Sequence, residues 1–174
     1  MRYSYHTEQW VPYPIDQVFK FFSNPDNLPL LMQPWQKAKI DRKTIVPTSV
    51  PSPDPSQTTG AAGSGSTITL SFRPFPYSPF RLRWLAEIVE FKWNERFCDR
   101  QLSGPFAYWN HCHYIQPVTR SGVSGTLIAD DLEYDLPDLL LGQIAHRLVV
   151  RALLKRTFSF RQTKLVSILA QVTH

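Results

Sequence analysis

From Leu139 through to Leu169 the chain keeps the spacing of one long helix. Leu141, Ile144, Ala145, Leu148, Val149, Ala152 and Leu153 recur at three- and four-residue intervals, and Asp138 follows Pro137 at a suitable capping position. The other face carries Arg147, Arg151, Lys155 and Arg161, spaced along the helix as on a solvated surface. A helix of this length is stable in water only when its apolar stripe is packed against a partner. The remainder of the chain offers mainly strands, so the helix has to lie across a sheet.

Those strands follow one another at short intervals. "RYSYHTEQWV" alternates aromatic or β-branched residues with polar ones and ends at "PYP". Pro14 then opens a short helix whose stripe is Ile15, Val18, Phe19 and Phe22, and the proline-broken "LPLLMQPW" predicts a second short helix or turn. Strands are expected over residues 38–46, in "STITLSFR", in "RLRWLAEIVEFKW", in "ERFCDRQLSG" and on both sides of the "TRSGVSG" turn. Residues 47–66, rich in Pro, Ser and Gly, read as a flexible insertion with little to bury. The aromatic loop "RPFPYSPFR", with Phe75, Tyr77 and Phe80, reads as an edge loop with buried anchors or as a gate at a cavity mouth. Six or seven strands with short connections make an antiparallel meander, and residues 1–174 are expected to form one α+β domain.

Composition narrows the function classes. With 19 basic and 14 acidic residues the chain carries a net charge of +5, but without the dense basic run that a nucleic-acid surface would need. No nucleic acid partner is expected. No apolar stretch approaches the roughly 18 residues that span a bilayer, so any membrane contact is expected to be transient. The two cysteines, Cys98 and Cys112, are too few for a disulfide framework and form no CxxC, which predicts reduced thiols and a cytoplasmic protein.

Chemistry concentrates in "DRQLSGPFAYWNHCHYI", Asp99 to Ile115. On a strand Trp109, His111, His113 and Ile115 share one face, and a buried, unpaired imidazole costs on the order of 1–3 kcal/mol, so these two require partners. On the strand before, Phe97, Asp99 and Gln101 share a face, and on the strand after, Ile128, Asp130, Leu132 and Tyr134 do. Two registers would set these faces on the same side of the sheet: one puts His113 opposite Asp130 and Trp109 opposite Tyr134, the other puts His111 opposite Asp130.

The order of strand, short helices, antiparallel strands and long terminal helix resembles the helix-grip fold of the START/SRPBCC superfamily, which includes polyketide cyclase/dehydratase-like proteins. Three motifs strengthen the resemblance to one bacterial branch of it. They are Pro14, Val18, Phe19, Phe21 and Phe22; then Phe97, Asp99, Gln101, Gly104, Pro105, Phe106, Trp109, His111 and His113; and last Asp130, Tyr134, Leu136 and Pro137. After Pro137 this chain reads "DLLLG", where relatives often have a phenylalanine and glycine. The resemblance implies a cavity between sheet and long helix for a hydrophobic or amphipathic small molecule. Some relatives are fused to nucleotide-sugar epimerase-like domains, which implies as an alternative a regulatory or interaction role beside such an enzyme.

The motifs fix alternate residues on all three strands, which implies that the face carrying this polar cluster is the inner one. The cluster admits four readings: a structural network; a polar end to a ligand cavity; a His–Asp acid–base pair of a cyclase or dehydratase; and a metal site in which Asp130 joins His111 and His113 as a third ligand. Ligand contacts are expected from Trp84, Asp99, Gln101, Phe106, Trp109, His111, His113 and Tyr134, and catalysis, if the chain is an enzyme, from His111, His113 and Asp130. Neither cofactor nor metal is expected: a catalytic zinc takes three protein ligands, and His6, His146 and His174 lie elsewhere in the sequence.

Overall fold

The computed structural model describes residues 2–48, 60–137 and 150–172. Strand β1 (Tyr3–Val11) leads through Pro14 into helix α1 (Ile15–Ser23), and two 3₁₀ turns follow at Pro25–Leu31 and Pro34–Gln36. Strands β2 (Lys39–Thr44), β3 (Thr67–Phe72), β4 (Leu82–Lys92), β5 (Arg96–Ser103), β6 (Tyr108–Arg120) and β7 (Val123–Asp135) precede helix α2 (Arg151–Val172). The strands form one antiparallel sheet in the order β1-β7-β6-β5-β4-β3-β2. It is a meander from β2 to β7, with β1 added beyond β7. Ser121 and Gly122, both at positive φ, make the two-residue β6–β7 turn, a geometry whose twist matches the flanking strands.

Alternation along β6 and β7 decides which side is inside. Trp109, His111, His113 and Ile115 are buried, as are Ile128, Asp130, Leu132 and Tyr134, while Tyr114, Gln116, Asp131 and Glu133 are exposed. Helix α1 packs over β6 and β7, and α2 lies against β1 and the first 3₁₀ turn. Under α1, Phe19 meets Phe91, Trp93 and Phe97 at ring distances of 5.5, 5.0 and 6.1 Å. This core, which includes Val18, Ile115, Ile128, Leu165 and Leu169, closes one end of the concave face.

Several expectations are corrected. The start of the long helix, with Asp138, Leu141 and Arg147, lies outside the described residues. Within α2 the inward residues are Leu154, Phe158, Leu165 and Leu169, whereas Ala152 and Leu153 are exposed. The face carrying Phe158 and Leu165 has more apolar surface to remove from water than one built on Ala152, and burial scales with that area. The described end of the insertion is packed rather than loose. Ala61, Ala62 and Ser66 are buried, and the chain is tied to Ser23, Val46 and Ile88 by backbone hydrogen bonds, because small residues fit where the backbone itself is the packing surface. In the β3–β4 loop the buried anchor is Ser78, whose hydroxyl donates to the Phe80 carbonyl, while Phe75, Tyr77 and Phe80 are exposed.

The cysteines are also not thiols. Cys98 and Cys112 stand opposite one another in the β5–β6 ladder, Cα atoms 4.1 Å apart, and are joined by a disulfide bond. Two cysteines cannot make a framework, but a hairpin that brings them to the same rung makes a single bond. Reduction is expected to lower stability by about 3 kcal/mol, the loop-closure value for a loop of about 15 residues. Denaturation midpoints with and without reductant measure this, and identical midpoints would show that the bond contributes nothing. No described helix is long and apolar enough to cross a membrane.

Candidate functional site

Strands β5, β6 and β7 present their inward residues at neighbouring rungs: Asp99 opposite His111, Phe97 opposite His113, and His113 opposite Asp130. The β6–β7 register is therefore the one that also pairs Trp109 with Tyr134. Asp130 nevertheless serves both imidazoles. Its Oδ1 lies 2.7 Å from His113 Nδ1 and 3.1 Å from His111 Nε2. The ring centroids of His111 and His113 are only 4.0 Å apart, so one oxygen at the middle reaches both.

A third partner comes from α2. Arg161, expected on a solvated face, is turned inward with its side chain 13% exposed, and Nη1 sits 3.2 Å from Asp130 Oδ1. Phe22 lies under the guanidinium at 4.8 Å and also faces the His113 ring at 6.0 Å. The spacing did carry a signal, since Arg161 falls three residues after Phe158 and four before Leu165, within the buried stripe.

Charge in the cluster follows from these contacts. Burial by itself would raise the pKa of Asp130, but the Arg161 guanidinium and the hydrogen bonds from His111 and His113 outweigh it and hold the carboxyl well below its usual range. His111 is pushed below its ordinary value of 6.5 by burial and by neighbouring His113, against the pull of Asp130 and Asp99. Near neutral pH the cluster thus holds an ionised Asp130 and a neutral His111.

On the other side of the rings stands Asp99, whose Oδ2 is 3.7 Å from both His111 Nδ1 and His113 Nε2. That is too long for a hydrogen bond. Gln101, also predicted in the site, bonds the Phe106 backbone: its Nε2 donates to the carbonyl at 2.7 Å, and its Oε1 accepts from the amide at 3.4 Å. It holds the β5–β6 turn closed. A side chain at Gly104 would place its Cβ 2.4 Å from Gln101 Oε1 and so push Gln101 off the Phe106 backbone.

The predicted aromatic contacts assemble next to the polar cluster. Trp109 meets Trp84 and Phe106 at 4.8 Å each, and Phe106 meets Tyr134 at 5.9 Å. Tyr3, Tyr5, Phe158 and Val150 complete this wall, which Trp109 joins to His111 at 6.1 Å. Trp84 and Phe106 are only partly buried. All nine residues singled out from the sequence therefore lie on one face, with Arg161 and Phe158 added from α2.

The same architecture occurs in solved structures of low sequence identity. TTHA0849 from Thermus thermophilus superposes with a TM-score of 0.65 at 16% identity, covering 98% of this chain and 99% of that one. Norcoclaurine synthase of Thalictrum flavum, a point mutant in complex with a transition-state analogue, gives 0.61 at 14% identity over 100% and 98% of the two chains. Ara h 8.0201 gives 0.58 at 14% identity over 95% and 99%. At these identities the likeness is one of fold, the helix-grip arrangement of sheet and terminal helix. No curated protein matches the chain by sequence. A family model, described as polyketide cyclase / dehydrase and lipid transport, matches residues 11–157, from the last residue of β1 into α2. The chain belongs to the polyketide cyclase/dehydrase and lipid transport family.

Proposed function

We propose that the protein binds a hydrophobic or amphipathic small molecule, lipid- or polyketide-like, between the concave face of the sheet and the terminal helix. The observation that carries this reading is the division of the inner face. Under α1 the face is a closed aliphatic and aromatic core, whereas beyond the histidines it becomes an aromatic wall of Trp84, Phe106, Trp109 and Tyr134. Apolar walls with a few convergent polar groups are the usual make-up of small-molecule sites. Trp84 and Phe106 keep part of their rings unburied, as a surface awaiting an apolar partner would. The polar cluster at the edge of the wall would orient an oxygen of the bound molecule.

A second reading, a cyclase or dehydratase, is supported by the ionised Asp130 bonded to both imidazoles, the arrangement that fixes tautomers in acid–base pairs. Here the histidines would act on the ligand that the aromatic wall holds. A cytosolic protein would carry Cys98 and Cys112 as thiols, so the disulfide weighs against the cytoplasmic location expected from the sequence.

Native mass spectrometry of freshly purified protein, followed by titration with anilinonaphthalene sulfonate, tests the binding reading. A co-purifying amphipathic molecule, or saturable one-to-one probe binding that Trp84→Ala weakens, supports it. The absence of both a carried molecule and saturable probe binding would overturn it. Turnover lost in His113→Ala with probe affinity retained would move the assignment to the enzyme.

A further inference from the structure

We propose that Asp99, His111 and His113 form a binding site for one divalent transition-metal cation, contrary to the expectation from the sequence that no metal is held.

The geometry of the two rings carries the argument. Asp130 Oδ1 lies 3.1 Å from His111 Nε2 and 2.7 Å from His113 Nδ1, and Arg161 Nη1 lies 3.2 Å from the same oxygen. Arg161 Nη2 also lies 3.2 Å from His113 Nδ1. Each ring is thus held through one nitrogen on the Asp130 side, which leaves its other nitrogen, His111 Nδ1 and His113 Nε2, as the one available to a cation.

Those are the two atoms that face Asp99 Oδ2, each at 3.7 Å. One carboxylate oxygen and two ring nitrogens from adjacent strands therefore converge. One ligand atom from each of Asp99, His111 and His113 can be chosen so that all three lie within 4.8 Å of one another. Two metal–ligand bonds of about 2.0–2.2 Å span at most ~4.3 Å, so closing the widest pair around a cation needs a movement of roughly half an ångström.

Two imidazoles and one carboxylate on one side, with other positions left open, is a donor set taken by zinc and by iron(II). The layer behind them is also the one that such sites use. Each histidine passes its remaining N–H to a carboxylate, here the shared Asp130, which is itself fixed by Arg161. Phe97, 4.3 Å from the His113 ring, and Phe158, 5.6 Å from that of His111, hold the rings in place. Asp99, with its side chain 20% exposed against 8% and 7% for the histidines, marks the side from which the cation and its further ligands enter. Asp130, the third ligand suggested by the sequence spacing, becomes the positioning residue instead.

The site does not depend on the small-molecule reading and is tested without an organic ligand. Chelator-treated protein is titrated with zinc(II) by calorimetry and with cobalt(II) by visible absorption. The expected result is one equivalent bound, lost in Asp99→Asn and in His113→Gln, and weakened on the order of 10–100-fold in Asp130→Asn. Asp99→Asn is the decisive variant, because the Asp99 side chain, 3.7 Å from both imidazoles, makes no hydrogen bond among the described residues, and circular dichroism is expected to show the fold retained. His6, exposed on the outer face between Glu8 and Asp131, is the competing donor cluster, and His6→Ala controls for it. No stoichiometric binding, or binding that Asp99→Asn retains and His6→Ala removes, would overturn the proposal.

Discussion

Asp130→Ala is expected to destabilise the protein by about 3–5 kcal/mol, the cost of removing one partner from a buried ion pair. The carboxylate is 6% exposed and is the shared partner of His111, His113 and Arg161. Without it the guanidinium of Arg161 stays buried with no counter-charge, and two ring N–H groups lose their acceptor. Arg161→Met should cost less, because Asp130 keeps both histidine donors and can take up a proton. Urea denaturation of both variants measures this, and a loss below about 1 kcal/mol for Asp130→Ala would mean that water or a rearrangement replaces the carboxylate.

Acid should expose the same cluster in two stages. His111 is held below its ordinary value of 6.5, so the unfolded chain takes up a proton that the folded protein refuses. Its contribution is complete above that value and declines as the pH falls below it. Asp130 is held well below its ordinary 3.8, so its contribution is complete above that value and is lost as acid approaches the folded-state pKa. A melting temperature that falls from about pH 6.5 downward, and falls less in His111→Gln, is the expected record.

Trp109→Ala is expected to cost about 3–5 kcal/mol and to abolish probe binding as well. The indole is 9% exposed and touches Trp84, Phe106, Tyr134 and His111, so its removal opens the centre of the aromatic wall. Trp109→Phe keeps an aromatic face and should retain most of the stability. Phe19→Ala serves as the contrast: it empties a fully buried position under α1, in the core cluster separate from the wall. Equal loss of stability with probe affinity retained in Phe19→Ala, and lost in Trp109→Ala, would localise binding to the wall. Equal loss of affinity in both would attribute it to general unfolding.

The candidate site was legible as far as strand periodicity reaches. Alternation together with the family motifs placed Asp99, Trp109, His111, His113, Asp130 and Tyr134 on one face, and the pleat left only two registers. Which register holds was not legible, because both bury the same residues. The β6–β7 turn decides it: two residues at positive φ, Ser121 and Gly122, set Arg120 against Val123 and every later pair follows. Arg161 was misplaced because a charge on a helix ordinarily points to water, and only a partner on another element makes its burial favourable. The partner, Asp130, lies 31 residues earlier in the chain, on the central part of the sheet.

Sequence by itself thus determined the strands, the two helical regions, the inward face and the family motifs, all of which depend on the order of neighbouring residues. Tertiary structure alone decided the disulfide, the inward turn of Arg161 and the geometry that sets one carboxylate behind the imidazoles and another 3.7 Å in front of them. The reason is physical. Periodicity specifies which way a side chain points, but hydrogen bonds and ion pairs act over a few ångströms between residues brought together only when the sheet and helix close.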